Sequence, residues 1–288
     1  MKILSLRILL VFFVSLAFCN DDEKYSFIFG DRVVGEKHVQ IMSQEISFTL
    51  PGIGHVEYVS GSTSVIEFSG IEGDFWKFRA TLTDVENNNT INGIEILDQY
   101  RDAVEGSSCY LYVKRGGLDD EVHHIDPVNE EDYYLQEAFE AAHMNIYPNN
   151  FRYPFGIDAV DITKGDSWSL SRDSLKFYIN IGSPSSMLSS KADLTLKKIK
   201  EKRGRKIAYI NSISEVDADF RIAVNFLGER RFITGHATGT GSGKFQWDIE
   251  STEHLSQKLV LNCAGDFEIG GEKSFMKIFV RTINKKVE

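Results

Sequence analysis

Val216-Asp217-Ala218-Asp219-Phe220-Arg221-Ile222-Ala223-Val224-Asn225-Phe226 puts Val216, Ala218, Phe220, Ile222, Val224 and Phe226 on one phase. Asp217, Asp219, Arg221 and Asn225 occupy the other. Period-two alternation of this kind places one face on a core and the other in water, the pattern of an antiparallel strand. The same signature recurs outward in both directions. Lys37 to Leu50, His55 to Val59, Thr63 to Phe68, Phe75 to Val85, Ile91 to Leu97 and Ser108 to Lys114 read as strands before the middle of the chain. After it come Ser167 to Ser171, Leu175 to Ile181, Ala192 to Ile199, Lys206 to Ile213, Arg231 to Ala237, Lys244 to Glu250, Gln257 to Cys263 and Phe275 to Thr282. Ser60-Gly61-Ser62 has hairpin-like spacing, Asn87-Asn88-Asn89-Thr90 has loop composition, and Lys202-Arg203-Gly204-Arg205 reads as a hairpin tip. The run Tyr25, Phe27, Phe29 alternates in the same way until Gly30-Asp31 breaks it.

One segment departs from this period. Between Pro127 and Met144, Leu135, Ala138, Phe139 and Ala142 recur at helical spacing, with Glu130, Glu131 and Asp132 near the N-terminal end and Pro148 and Pro154 beyond the other. The predicted organisation is therefore a β-rich half over 20–126, a helix and connector over 127–155, and a second β-rich half over 156–288. The fold class is mostly β: long antiparallel strands forming a curved sheet or half-barrel, or two packed β halves, with one helix near 127–144. No short repeat supports a propeller or solenoid.

Residues 1–19 have a basic start (Lys2, Arg7), an apolar run from Ile8 to Phe18 and Ala17 before Cys19, the layout of a secretory signal peptide. No later stretch is long and apolar enough for a transmembrane helix, so the exported chain is expected to be periplasmic or extracellular, with envelope association as a variant. A lipid-modified Cys19 is disfavoured by Phe18, where a small residue is needed. An outer-membrane barrel is disfavoured by the charge on alternate strand faces. The formal net charge of -10 becomes -12 without Lys2 and Arg7. An acidic surface argues against a nucleic-acid partner, since such binding is led by Lys and Arg on phosphates. Cys109 and Cys263 lie on the apolar phase of their strands. Both a disulfide and a pair of buried thiols suit them in an oxidising compartment.

The chemistry-bearing motifs are thin. The stretch Asp119 to Asp126 is rich in ligand types, and His123, His124 and Asp126 together with His143 form a candidate cation set. Against it, neighbouring His123 and His124 would point to opposite faces of a strand, and there is no HExxH, CxxC or calcium-loop spacing. The Gly239-Thr240-Gly241-Ser242-Gly243-Lys244 run misses the P-loop, because Thr238 stands where glycine is needed and Phe245 follows the lysine. Its small residues are expected to let the strand bend or another segment approach closely. There is no Gly-x-Ser-x-Gly elbow, and no cofactor is expected.

At Val160-Asp161-Ile162-Thr163-Lys164-Gly165-Asp166-Ser167-Trp168 the chain resembles a group of uncharacterised secreted bacterial proteins. Their Val-x-x-Gly-Asp-x-Trp turn opens the second of two β-rich halves, with a Gly-x-Gly strand downstream. The resemblance implies export and a β-rich fold, and it brings no activity with it. Turn chemistry accounts for the residues themselves: Gly165 takes a positive φ, Asp166 bonds neighbouring amides, and Trp168 starts a strand as a buried anchor. In layout the chain is also similar to periplasmic lipoprotein-carrier half-barrels, which implies a curved sheet and helix around an apolar cavity.

The leading functional expectation is a non-enzymatic exported protein that binds a lipid-like or other apolar small molecule. Trp76, Phe78, Leu135, Phe139, Phe220 and Ile222 are the candidate lining, each of which also suits plain core. The alternatives are a module that meets another envelope protein through exposed sheet edges or loops, and a metal-dependent hydrolase using the 119–126 loop.

Overall fold

The computed structural model describes residues 23–50, 52–96, 104–114, 122–127, 154–156, 158–177, 186–226, 229–269 and 271–287. Apart from a helical residue at Val104, every element among them is a β-strand. In the first half these are β1 (Lys37–Leu50), β2 (Gly54–Glu72), β3 (Phe75–Ile91), β4 (Ile94–Ile96), β5 (Ser108–Lys114) and β6 (Val122–Pro127). The second half supplies β7 (Ser167–Phe177), β8 (Ser186–Lys202), β9 (Arg205–Phe226), β10 (Glu229–Asp248), β11 (Glu253–Ile269) and β12 (Glu272–Lys286).

All twelve belong to one antiparallel sheet in the order β6-β5-β3-β2-β1-β12-β11-β10-β9-β8-β7, with short β4 paired to β3 beside this path. The first and last strands meet in the middle, β1 lying against β12 from Gln40↔Lys286 to Phe48↔Ile278. Each half is thus a meander that starts at this seam and steps outward. The sheet ends at β6 and β7, which no described pairing joins, so it is not closed into a barrel.

The strands are longer than their sequence signals. Ser60-Gly61-Ser62 is not a hairpin: β2 runs through it, and the glycine marks a bulge between Gly61 and Thr63. Asn87 to Thr90 is not a loop but the end of β3, pairing Asn87↔Ser60 through Thr90↔Glu57, with Asn89 buried. The turn comes just after, at Asn92 and Gly93 (φ 52° and 77°), the positive-φ pair of a tight hairpin. The tip at Arg203 and Gly204 has the same geometry. The segments 206–213 and 216–226 are one strand, as are 231–237 and 244–248.

Pro127, expected in a first helical turn, ends β6 opposite Cys109 instead. A proline has no N–H for a further strand, so it suits a sheet edge. The rest of the predicted helix, with Leu135, Phe139 and His143, lies outside the described residues. Tyr25 to Phe29 does not join the sheet. It crosses residues 159–162 through a bridge at Tyr25↔Ile162 and a Phe27 N to Ala159 O bond of 2.8 Å.

Three apolar clusters line the sheet. The first gathers Ile66, Phe68, Trp76, Phe78, Leu82 and Leu111 on β2, β3 and β5. The second joins Phe48 and Tyr58 of β1 and β2 to Phe220, Ile222, Phe267 and Met276 of β9, β11 and β12. The second brings together side chains from strands several positions apart in the sheet, consistent with a curved sheet. Inward glycines permit the curl. A Cβ on Gly239 would lie 2.2 Å from the Asn262 carbonyl oxygen, and one on Gly265 would lie 1.9 Å from that of His236. The Gly-x-Gly run is therefore a close-approach device, as its sequence implies.

Candidate functional site

The third cluster is where the sheet acquires a lid. Phe27 and Phe155, from the two crossing segments, pack with Trp168 of β7, Leu194 of β8 and Trp247 of β10. The Gly165–Trp168 turn fixes the lid's edge. Gly165 has φ 99°, and the Asp166 carboxylate accepts from the Thr163 backbone N–H (2.8 Å) and hydroxyl (2.7 Å). Those bonds hold the Asp166 carboxyl below the usual carboxylate range. Trp168 stacks on Phe27 with ring centroids 5.9 Å apart, and its indole N–H donates to the Phe155 carbonyl at 2.8 Å. The turn's role is structural.

Beside this cluster lies a cavity of about 190 Å³. Leu188, Ser190, Ala192 and Leu194 of β8 and Ser212, Ser214 and Val216 of β9 form one wall. Leu259 and Leu261 of β11 form the facing wall, and Phe155, Leu170 and Phe245 close it. The intervening strand, β10, contributes almost no side chain. A Cβ on Gly241 would meet Leu261 Cδ2 at 2.4 Å and Ser214 Oγ at 2.5 Å, and one on Gly243 would meet Ser212 Oγ at 2.3 Å. The neighbours lean over a glycine floor.

Two cationic or basic groups border this space. Arg172 of β7 donates from Nη2 to the Pro154 carbonyl at 2.9 Å, and burial lowers its guanidinium to about 10, which leaves it charged at neutral pH. His254 of β11 stands between the rings of Phe155 and Phe245, at centroid distances of 6.4 and 6.1 Å. Burial pushes its imidazole down to about 4, so it is neutral at pH 7. By area His254 is half-buried; it lies deep in the molecule, where its ring borders this cavity and a smaller one of about 40 Å³.

The smaller cavity is bounded by a charge cluster. Glu253 accepts from Lys286 and lies 3.5 Å from Arg32 and 3.2 Å from His38 Nδ1, while Glu36 is 3.2 Å from Arg32 and 3.0 Å from His38 Nε2. Burial raises the Glu253 carboxyl, and the bond and charge of Lys286, with His38 and Arg32, outweigh it and hold the group low. Burial lowers His38. Glu36, His38 and Glu253 bring their ligand atoms within 4.8 Å of one another, close enough for a metal ion. Two carboxylates there already face two cations of the protein, Arg32 and Lys286, so the cluster balances itself as an ion-pair lock across β1, β11, β12 and the N-terminal segment.

The residues singled out from sequence are dispersed. Trp76 and Phe78 belong to the first cluster and Phe220 and Ile222 to the second, all at most 4 % exposed and none lining the 190 Å³ cavity; Phe78 borders the smaller one. Leu135, Phe139 and His143 lie outside the described residues. His123, His124 and Asp126 fall on β6, where His124 pairs with Tyr112 and Asp126 with Tyr110.

Cys109 on β5 and Cys263 on β11 are not joined in a disulfide. Five strand steps separate them in the sheet, about 24 Å along it at ordinary strand spacing. A disulfide needs Cα atoms within about 7 Å. The disulfide expectation is therefore corrected to two thiols, and burial raises that of Cys263.

Sequence reasoning missed the cavity residues and His254. The one available signal was the glycine run of β10, read as permitting close approach without the space it leaves beside it.

The outer face mixes exposed charged residues with exposed apolar ones, among them Ile213, Phe232 and Phe275. Asp217, Asp219 and His236 are exposed, and His236 Nδ1 lies 3.0 Å from Asp219, which raises its pKa. No helix among the described residues is long and apolar enough to cross a membrane.

No protein family matches the chain, and neither does any curated protein. Among solved structures, a Salmonella typhi OmpF in complex with daunomycin aligns at 7% identity with a TM-score of 0.21, covering 88% of this chain and 97% of that one. The hypothetical lipoprotein YmcC from Escherichia coli K12 aligns at 9% identity with a TM-score of 0.12, covering 88% and 90%. At those scores neither likeness carries an argument.

Proposed function

We propose that the chain is an exported binding protein for an apolar small molecule, held between β8, β9 and β11 beneath Pro154 and Phe155. The observation that carries this reading is the cavity of about 190 Å³ with mainly aliphatic and aromatic walls. An engineered apolar cavity of about 150 Å³ in another protein stays dry and binds benzene or xenon. A space of this size takes a single ring or a short acyl segment and is too small for a whole two-chain lipid. The first nineteen residues support export, and a half-open apolar cavity built on the sheet supports binding.

The test is native mass spectrometry of the mature protein from its own envelope, with organic extraction of the same sample, beside an Ala192→Phe variant whose ring fills the cavity. An apolar species at fixed ratio on the wild type and absent from the variant is the expected result. A species retained equally by the variant places binding elsewhere and overturns the reading.

A further inference from the structure

The cavity reading gives a ligand size; the one charged side chain in the described cavity wall gives its chemistry, and this inference rests on that reading. Between β7 and β8 the register sets Arg172 directly opposite Ser190. Between β8 and β9 it sets Ala192 opposite Ser214 and Leu194 opposite Ser212. A cation and a hydroxyl therefore stand side by side at one end of the wall, and the other serines lead away from them along β9. Arg172 and Ser190 line the cavity of about 190 Å³ and not the smaller one, and both are half-buried by area, so each keeps surface that a bound molecule can touch.

The Nη2 bond to the Pro154 carbonyl anchors one edge of the Arg172 guanidinium. Its planar fork has five N–H donors, and a parallel pair matches the two oxygens of a carboxylate. Burial pushes the group down to about 10, so its surroundings taken together disfavour the charge that it still carries at neutral pH. An anion beside it offsets that cost.

The walls decide which anion. Leu170, Ala192, Leu194, Leu259 and Leu261 are aliphatic, and no second cation is described among the lining, so a dianionic phosphate would bring in a charge without a partner. A hydrocarbon or a neutral amide does nothing for the arginine. A single negative charge on an apolar body suits both the cation and the walls.

We infer that the cavity takes a short monocarboxylate, its carboxylate held by the Arg172 guanidinium and the Ser190 hydroxyl and its apolar body lying between Leu170, Ala192, Leu259 and Leu261.

The test is calorimetric titration with three probes: hexanoate, hexanamide, which has the same chain and a neutral head of similar shape, and p-xylene. The wild type is expected to bind hexanoate at least about tenfold more tightly than hexanamide, the margin of one charged hydrogen bond. In Arg172→Gln, which keeps an N–H group without the charge, that preference is expected to vanish. Ser190→Ala is expected to weaken hexanoate about tenfold. Should Arg172→Gln not fold, the wild-type ratio and Ser190→Ala decide the matter. Hexanamide bound as tightly as hexanoate, a preference for hexanoate that survives Arg172→Gln, a hexanoate affinity untouched by Ser190→Ala, or binding of p-xylene alone overturns the carboxylate assignment and leaves the cavity reading standing. If the folded wild type binds none of the three, the cavity reading falls, and this inference with it.

Discussion

Replacing His254 by phenylalanine should flatten the acid limb of the stability curve. The folded protein binds a proton at His254 only near pH 4, against an ordinary value of 6.5. Between those values the unfolded chain holds more protons than the native one, so stability is complete above pH 6.5 and is lost as the pH falls toward 4. That difference corresponds to about 3 kcal/mol. His38 and Glu253, both lowered on folding, act in the same direction; exposed His236, raised by Asp219, acts weakly in the opposite one. Urea unfolding followed by tryptophan fluorescence at pH 7 and pH 4.5 measures the effect. The wild type should lose most of those 3 kcal/mol in addition to what His38 and Glu253 contribute, and His254→Phe should lose only the latter. An identical loss in both proteins would mean that His254 is hydrated and titrates normally, which refutes the reasoning from its burial.

Other perturbations have definite outcomes. Gly239→Ala places a methyl 2.2 Å from one backbone atom and 2.6 Å from another, so it should cost about 1–3 kcal/mol in urea midpoint; an unchanged midpoint would show that β10 and β11 are less closely apposed. Trp168→Phe removes the bond to the Phe155 carbonyl and should cost about 1–3 kcal/mol, read as a drop in Tm. Alkylation of the unfolded chain without reductant should label both Cys109 and Cys263; protection of the pair until a reductant is added would contradict the strand order.

The strand-rich character was legible because alternation is local: Val216 to Phe226 shows its face without reference to any neighbour. Strand length was not, since Gly61 and the Asn87–Thr90 run carry turn composition, and only their pairing with β3 and β2 keeps them extended. The seam of β1 with β12 joins residues from opposite ends of the chain, which no window of sequence brings together. The cavity is harder still to foresee. It arises because Gly241 and Gly243 remove the side chains between Ser212 and Ser214 on one strand and Leu259 and Leu261 on another, so it belongs to three strands in register. His254 carries no motif; its character comes from the rings and the empty space around it.

The most direct test of the cavity itself is a crystal structure under xenon pressure. The account predicts a xenon atom bounded by Leu194, Phe245 and Leu261 beside His254, because an apolar cavity of this size holds that gas. Leucine and phenylalanine side chains collapsed into the space, with no xenon between them, would contradict it.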